Sequence, residues 1–327
     1  MASLRAFLVL MCLAGYAAAA PPEGTSRVSY FGYDDCVALQ NDSTRVVLCH
    51  HSGGRVLEYA LHGVNAIALD DAGRGWLPGN KDRRGAGTGG RIDIGPEQTI
   101  PKHPLLWEGA WTASTPAPFT ARLVSQADDA TGVQLVRDFV LASDSSELQV
   151  TQTIRNVSRQ TVEYCHWSRT FGVGGGVVVL PVTEPSRFPN RYVMYQPDGA
   201  IQMRPVDPHI QLRDGCLVID GAPQFPKLGF DSAAGWFGYA MPNDLLWVKR
   251  FPVYPDRVYN EVAGLTVSIW YPDRPMVELE PIGPRERIAP GDSASFTETW
   301  TLRPFAFPAE GSAIDVASIK RLATPSP

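Results

Sequence analysis

Met276-Val-Glu-Leu-Glu-Pro-Ile-Gly-Pro-Arg-Glu-Arg-Ile-Ala-Pro-Gly-Asp292 runs directly into Ser293-Ala-Ser-Phe-Thr-Glu-Thr-Trp-Thr-Leu302. Alternation over Met276 to Glu280 is a strand pattern. Side chains on a strand switch faces at every residue, so Glu278 and Glu280 share one face while Val277 and Leu279 share the other. Carboxylates on the inner face of a sheet are costly unless hydrated, paired or used. The strand is therefore expected to line a wet concavity. The turn-rich segment 281–292 breaks it, and Phe296, Glu298, Trp300 and Leu302 resume the alternation, which predicts a hairpin between the two runs.

Working outward, the same signal recurs. Leu148-Gln-Val-Thr-Gln-Thr-Ile154 sets an apolar face against a Gln/Thr face. Strand patterns also cover 120–125, 133–141, 162–170, 176–182, 211–219, 236–241, 245–251 and 265–271. With 30 Gly, 28 Pro and only 19% charged residues, the chain suits many short strands joined by tight turns. The expected fold class is all-β, a large antiparallel sandwich in one domain over 21–327. A short C-terminal helix is expected over 313–322, and a functional loop over 70–90.

Arg5, the apolar run Ala6 to Gly15 and the small-residue tail Ala17 to Ala20 have the three-part form of a secretory signal, with cleavage expected after Ala20. Met11 ahead of Cys12 does not suit a lipid-attachment site. The mature chain is expected to be secreted or periplasmic. A net charge of -5 with no basic run argues against nucleic acid and against an anionic membrane surface as partner. No later segment has the length and apolarity of a membrane span.

Four cysteines follow the signal: Cys36, Cys49, Cys165 and Cys216. A two-residue hairpin turn at Asn41-Asp-Ser-Thr44 sets Val37 opposite Leu48, Leu39 opposite Val46 and Cys36 opposite Cys49. That register predicts a Cys36–Cys49 disulfide. Cys165–Cys216 follows only by elimination, with buried free thiols the competing reading. His50-His51 and Asp70-Asp71 are poor chelates, because adjacent strand residues point to opposite faces. No metal or cofactor is expected, and nucleotide-loop and serine-elbow motifs are absent.

Taken in order, Gly53-Gly-Arg-Val, Arg91 ahead of Pro104-Leu-Leu-Trp107, the Asn156-Val-Ser turn leading to His166, and Val-Glu-Leu-Glu-Pro281 followed by Ala289-Pro-Gly-Asp-Ser resemble the galactose mutarotase-like group, which includes the aldose 1-epimerases. The resemblance is to a branch of exported bacterial proteins and spans most of the mature chain. It implies a β-supersandwich with a small or oligomeric carbohydrate in a concave cleft. It also implies Glu280 as the base that takes the anomeric proton, with Glu278 in reserve, and His166 as the acid that protonates the ring oxygen. Arg91, His103, Trp107 and Trp167 become candidate sugar contacts. Cys165-His166-Trp167 is a thinner histidine motif than the epimerases carry, and Gly95-Pro-Glu97 has no counterpart among them.

Against these roles stand a packed His166 bonded to a backbone carbonyl and a Glu280 paired with Arg285 or Arg287. The reading therefore divides between an epimerase and a noncatalytic carbohydrate-binding protein on the same scaffold. An accessory domain of a polysaccharide lyase or hydrolase is a weaker third.

Overall fold

The computed structural model describes residues 20–81 and 88–324. The signal segment expected at 1–20 falls outside them except for Ala20. Among the described residues the chain forms two antiparallel sheets, of thirteen and ten strands. The main path of the large sheet runs Thr25–Tyr30, Tyr33–Gln40, Thr44–Cys49, Arg55–Leu61, Gly90–Gly95, Val162–Val173, Met276–Pro281, Val267–Trp270, Lys227–Phe230, Val193–Tyr195 and Ile201–Gln202. The small sheet runs Ile210–Arg213, Cys216–Ile219, Val177–Pro181, Trp236–Met241, Leu245–Arg250, Ser293–Pro304, Leu148–Asn156, Val133–Leu141, Thr120–Val124 and Thr112–Ser114.

The two faces follow from strand parity. Ile92, Ile94, Ile269, Val277 and Leu279 of the large sheet pack with Phe139, Val150, Ile154, Trp247 and Trp300 of the small one in a single core. Complete burial of such a side chain is worth roughly 1.5–3 kcal/mol. On the outer face of the small sheet, Val179, Val218, Leu246 and Val248 are covered by Val316 and Ile319 of the helix Val316–Ala323. Asp315 caps that helix by accepting from Ser318 N, which starts it three residues later than the apolar pattern alone predicts.

The expected hairpin across 281–292 does not form. Met276–Pro281 pairs with Val162–Val173 and Val267–Trp270 in the large sheet, whereas Ser293–Pro304 pairs with Leu148–Asn156 and Leu245–Arg250 in the small one. Between them Glu286–Ile288 pairs with the start of Val162–Val173, so the chain crosses from one layer to the other. Both runs alternate correctly, but alternation carries no information on which sheet receives the strand.

The hairpin at Asn41–Thr44 has the expected register, with Val37 opposite Leu48 and Leu39 opposite Val46. Extending this register sets Cys36 opposite Cys49, and both are buried free thiols in one cluster. Cys165 and Cys216 are free and far removed from each other. Cys165 packs with Trp167 and Phe188 outside the large sheet, and Cys216 lies under the C-terminal helix outside the small one. The sandwich separates them, so the bond inferred by elimination does not exist.

One polar network ties the layers together beneath the centre of the large sheet. Lys249, fully buried, lies 3.2 Å from Glu298 and donates to Thr170 Oγ1 at 3.2 Å and to the Leu279 carbonyl at 3.0 Å. Glu298 also accepts from Gln152 at 2.7 Å and from the Trp300 indole at 2.8 Å. Burial pulls the Lys249 ammonium down to about 8, against the pull of Glu298.

Candidate functional site

The outer face of the large sheet carries a polar cluster at its middle. In the strand Val162–Val173, Trp167 stands opposite Asp93 and Arg169 opposite Arg91, so all four share the outer face. Phe171, Glu278, Trp270 and Lys227 form one row across four neighbouring strands. The intervening residues Ser168 and Thr170 face inward toward Lys249. Alternation alone thus sorts a single strand into a site face and a core face.

Arg169 is the hub. Its Nε lies 3.0 Å from Glu278 Oε1 and 3.2 Å from Glu280 Oε1, and its Nη1 lies 3.4 Å from Glu97 and 3.8 Å from Asp93. Burial works against its charge, but Glu278, Glu280 and Asp93 outweigh it and hold the guanidinium pKa well above its ordinary value. Lys227 pairs with Glu97 and sits 5.0 Å above the Trp167 ring. Burial would raise the Glu97 carboxyl, but Lys227 and Arg169 reverse the effect and lower it.

Glu280 differs from its neighbours. Only 1% of it is exposed, and neither carboxyl oxygen makes an aligned hydrogen bond. Desolvation and the adjacent Glu278 push its pKa up to about 8, with Arg169, Lys227 and the nearby Ser268 hydroxyl, which is close but not aligned for a hydrogen bond, opposing. Desolvation and the Glu278 charge both favour its neutral, protonated form. An unbonded buried carboxyl costs about 1–3 kcal/mol, which a ligand hydroxyl could recover.

Two cavities open over this cluster. One, of about 640 Å³, is walled by Asp93, Ile100, Lys102, His103 and Trp107. The other, of about 270 Å³, is walled by Phe171, Lys227, Trp270, Glu278 and Glu280. Glu97 and Arg169 belong to both walls. His103 Nε2 lies 2.7 Å from Asp93 Oδ1 and its Nδ1 lies 2.6 Å from the Pro101 carbonyl. Burial opposes the imidazolium, but the Asp93 carboxylate and that carbonyl raise its pKa to about 9, so it is cationic at neutral pH.

The sequence-derived candidates thus fall into two groups. Glu278, Glu280, His103 and Trp107 line the cleft, while Arg91, Trp167 and His166 do not. Arg91 is fully buried beneath the short helix Pro104–Trp107, with its Cζ 4.8 Å from the Trp107 ring centre and a hydrogen bond to the Trp107 carbonyl. It shapes the wall rather than touching a ligand. Gly53, at φ +68°, lets this helix approach, since a Cβ there would lie 2.2 Å from the Trp107 carbonyl oxygen. Trp167 is 1% exposed and lies under Lys227 and Arg169.

His166 is on the wrong side of the sheet for the acid role. It stands opposite the core residue Ile94, is fully buried, stacks on Phe296 at 5.8 Å, and donates from Nε2 to the Ala294 carbonyl at 3.1 Å. Burial lowers its pKa to about 4, only partly offset by that carbonyl. Glu280 pairs with neither Arg285 nor Arg287. Its cationic neighbour is Arg169.

Asp93, Glu97, Arg169 and Lys227 are the members that sequence reasoning passed over. Glu97 stood out as a departure from the epimerase pattern. Arg169 was reachable by parity, being two residues from Trp167 and one strand from the Glu278/Glu280 face. Among the described residues no group of three or more His, Cys, Asp or Glu side chains could hold a metal ion.

Comparison with known proteins places this geometry on a known scaffold. No family model matches the chain, and no curated protein matches it. Solved structures do. A candidate aldose 1-epimerase from Escherichia coli K12 superposes with a TM-score of 0.58 at 12% identity, covering 86% of this chain and 100% of that one. A galactose mutarotase-like protein from Lactobacillus casei superposes at 0.56 with 11% identity, covering 82% and 100%. The Slr1438 protein of Synechocystis superposes at 0.55 with 15% identity, covering 88% and 99%. With two antiparallel sheets, a single C-terminal helix and these neighbours, the chain has the galactose mutarotase-like fold, one large antiparallel β-supersandwich.

Proposed function

We propose that this protein binds a carbohydrate in the cleft around Arg169, as a recognition protein on a mutarotase-like scaffold. The observation that carries the reading is the unbonded Glu280 carboxyl, set among paired charges between the aromatic walls Trp270 and Trp107. Sugars present hydroxyls that bond such groups and C–H faces that pack on aromatic rings. The solved neighbours described as mutarotase-like or as a candidate aldose 1-epimerase add support for a carbohydrate ligand.

The epimerase reading loses its expected acid with His166 in the core. His103 supports a second version of it. A cationic imidazole held by Asp93 is a competent proton donor, and Glu280, when ionised, is a competent base. In that version one ring spans the Glu97–Arg169 pair that divides the two cavities. Glu280 takes the anomeric hydroxyl proton, His103 protonates the ring oxygen as the C1–O5 bond breaks, and reclosure on the other aldehyde face exchanges the anomers. The placement of His103 and Glu280 in separate cavities counts against it.

Saturation-transfer NMR against free hexoses and oligosaccharides, with anomer exchange followed in the same samples, separates the two. Binding without faster exchange supports recognition. Acceleration lost in both Glu280→Gln and His103→Gln supports epimerisation.

Export through the segment 1–20 belongs to the same proposal, and the amino-terminal sequence of secreted material would test it. Among the described residues no helix is long and apolar enough to cross a membrane. Oxidation of the facing Cys36 and Cys49 thiols to a disulfide is proposed for the exported protein.

A further inference from the structure

We infer that the cleft takes a neutral glycan of at least two sugar units, laid across the Glu97–Arg169 pair with one ring in each cavity. The inference rests on the carbohydrate reading and adds the size and charge class of the ligand.

Size comes from the division of the cleft. The two cavities are adjacent, because Glu97 and Arg169 stand in both walls. Each has its own apolar surface and its own polar groups. Trp107 and Ile100 face His103 and Asp93 in the larger, and Trp270, backed edge-on by Phe171 at 6.3 Å, faces Lys227 and Glu280 in the smaller. A pyranose needs an apolar face and convergent hydrogen-bonding groups. That set occurs twice here. A single hexose would fill one cavity and leave the other wet.

Charge class comes from pairing. Arg169 is held by Glu278, Lys227 by Glu97 and His103 by Asp93, and the remaining wall cation, Lys102, is solvent-exposed at the rim of the larger cavity rather than inside it. A phosphate or carboxylate on the ligand would have to compete with these carboxylates for the cations and would lie close to them. Hydroxyls meet no such opposition. Glu97 remains 40% exposed at its side chain, so the pair dividing the cavities is open to the units on either side. It is placed to accept from and donate to hydroxyls flanking a glycosidic bond.

The test is calorimetric titration of the whole protein with methyl glucoside, methyl galactoside and methyl mannoside, with homodisaccharides and homotrisaccharides of the same sugars, and with glucose 6-phosphate and glucuronic acid. For the sugar series that binds, the disaccharide is expected to bind about tenfold tighter than the methyl hexoside, with little further gain from a third unit. Trp270→Ala is expected to erase most of that gain, and Trp270→Phe, which keeps an aromatic wall and guards against a folding artefact, to keep much of it. Equal affinity for the hexoside and the disaccharide would overturn the two-unit assignment while leaving the carbohydrate reading intact. Tighter binding of the phosphorylated or acidic sugar would overturn the neutral assignment. Silence from every sugar would instead remove the carbohydrate reading on which both rest.

Discussion

Arg169 Nε lies 3.2 Å from Glu280 Oε1 without hydrogen-bond alignment, so the most buried carboxyl of the cleft has a cation beside it and no bonded partner. A carboxyl whose folded pKa is raised to about 8 contributes fully to stability below its unfolded pKa. That contribution is lost as pH rises from about 4.5 toward 8. Glu280→Gln removes the titration. Its thermal midpoint, relative to wild type, is expected to be higher at pH 8 than at pH 5. An equal difference at both values would show that Glu280 is ionised throughout.

Removing the hub should cost more than removing a spoke. Arg169→Met leaves Glu278 and Glu280 side by side in a buried site with no guanidinium between them. Breaking a buried pair by deleting one partner typically costs about 3–5 kcal/mol. Urea unfolding at neutral pH measures this, and the deficit should narrow in the double variant Arg169→Met/Glu278→Gln, which removes the carboxylate left unpaired. A deficit unchanged by Glu278→Gln would mean that Arg169 acts by packing alone.

Beneath the cleft, Lys249 and Glu298 should behave as a unit. Lys249→Met is expected to destabilise by about 3–5 kcal/mol, and the double variant with Glu298→Leu to recover part of the loss, because the uncompensated buried charge is gone. Strict additivity in denaturant unfolding would contradict the coupling.

Cys36 and Cys49 should close on mild oxidation, while Cys165 and Cys216 stay unlinked to each other. Intact-mass and non-reducing peptide mapping reads this directly. A Cys165–Cys216 peptide from monomeric protein would contradict the separation of the two faces.

Strand parity was the most legible property of the chain. It put Glu278 and Glu280 on one face, fixed the register that brings Cys36 to Cys49, and supplied enough strands for a sandwich. Layer assignment was not legible, because the pattern of Phe296 to Leu302 serves equally in either sheet. The site was half legible for a related reason. His166 was chosen for its chemistry, whereas the geometry of its own strand sends Trp167, Arg169 and Phe171 to the outer face, where Arg169 and Phe171 reach the cleft, and turns His166 inward. Arg169 and Lys227 drew no notice, since a charged residue on a strand is ordinarily read as a solvated one, and only the folded sheet shows them converging on Glu97.

The most direct test is saturation-transfer NMR of the wild type, Glu280→Gln and Arg169→Met with the best-binding glycan of the panel. Transfer is expected in the wild type, reduced several-fold in Glu280→Gln and absent in folded Arg169→Met. Undiminished transfer in both variants would place the ligand elsewhere and contradict the assignment of this cleft.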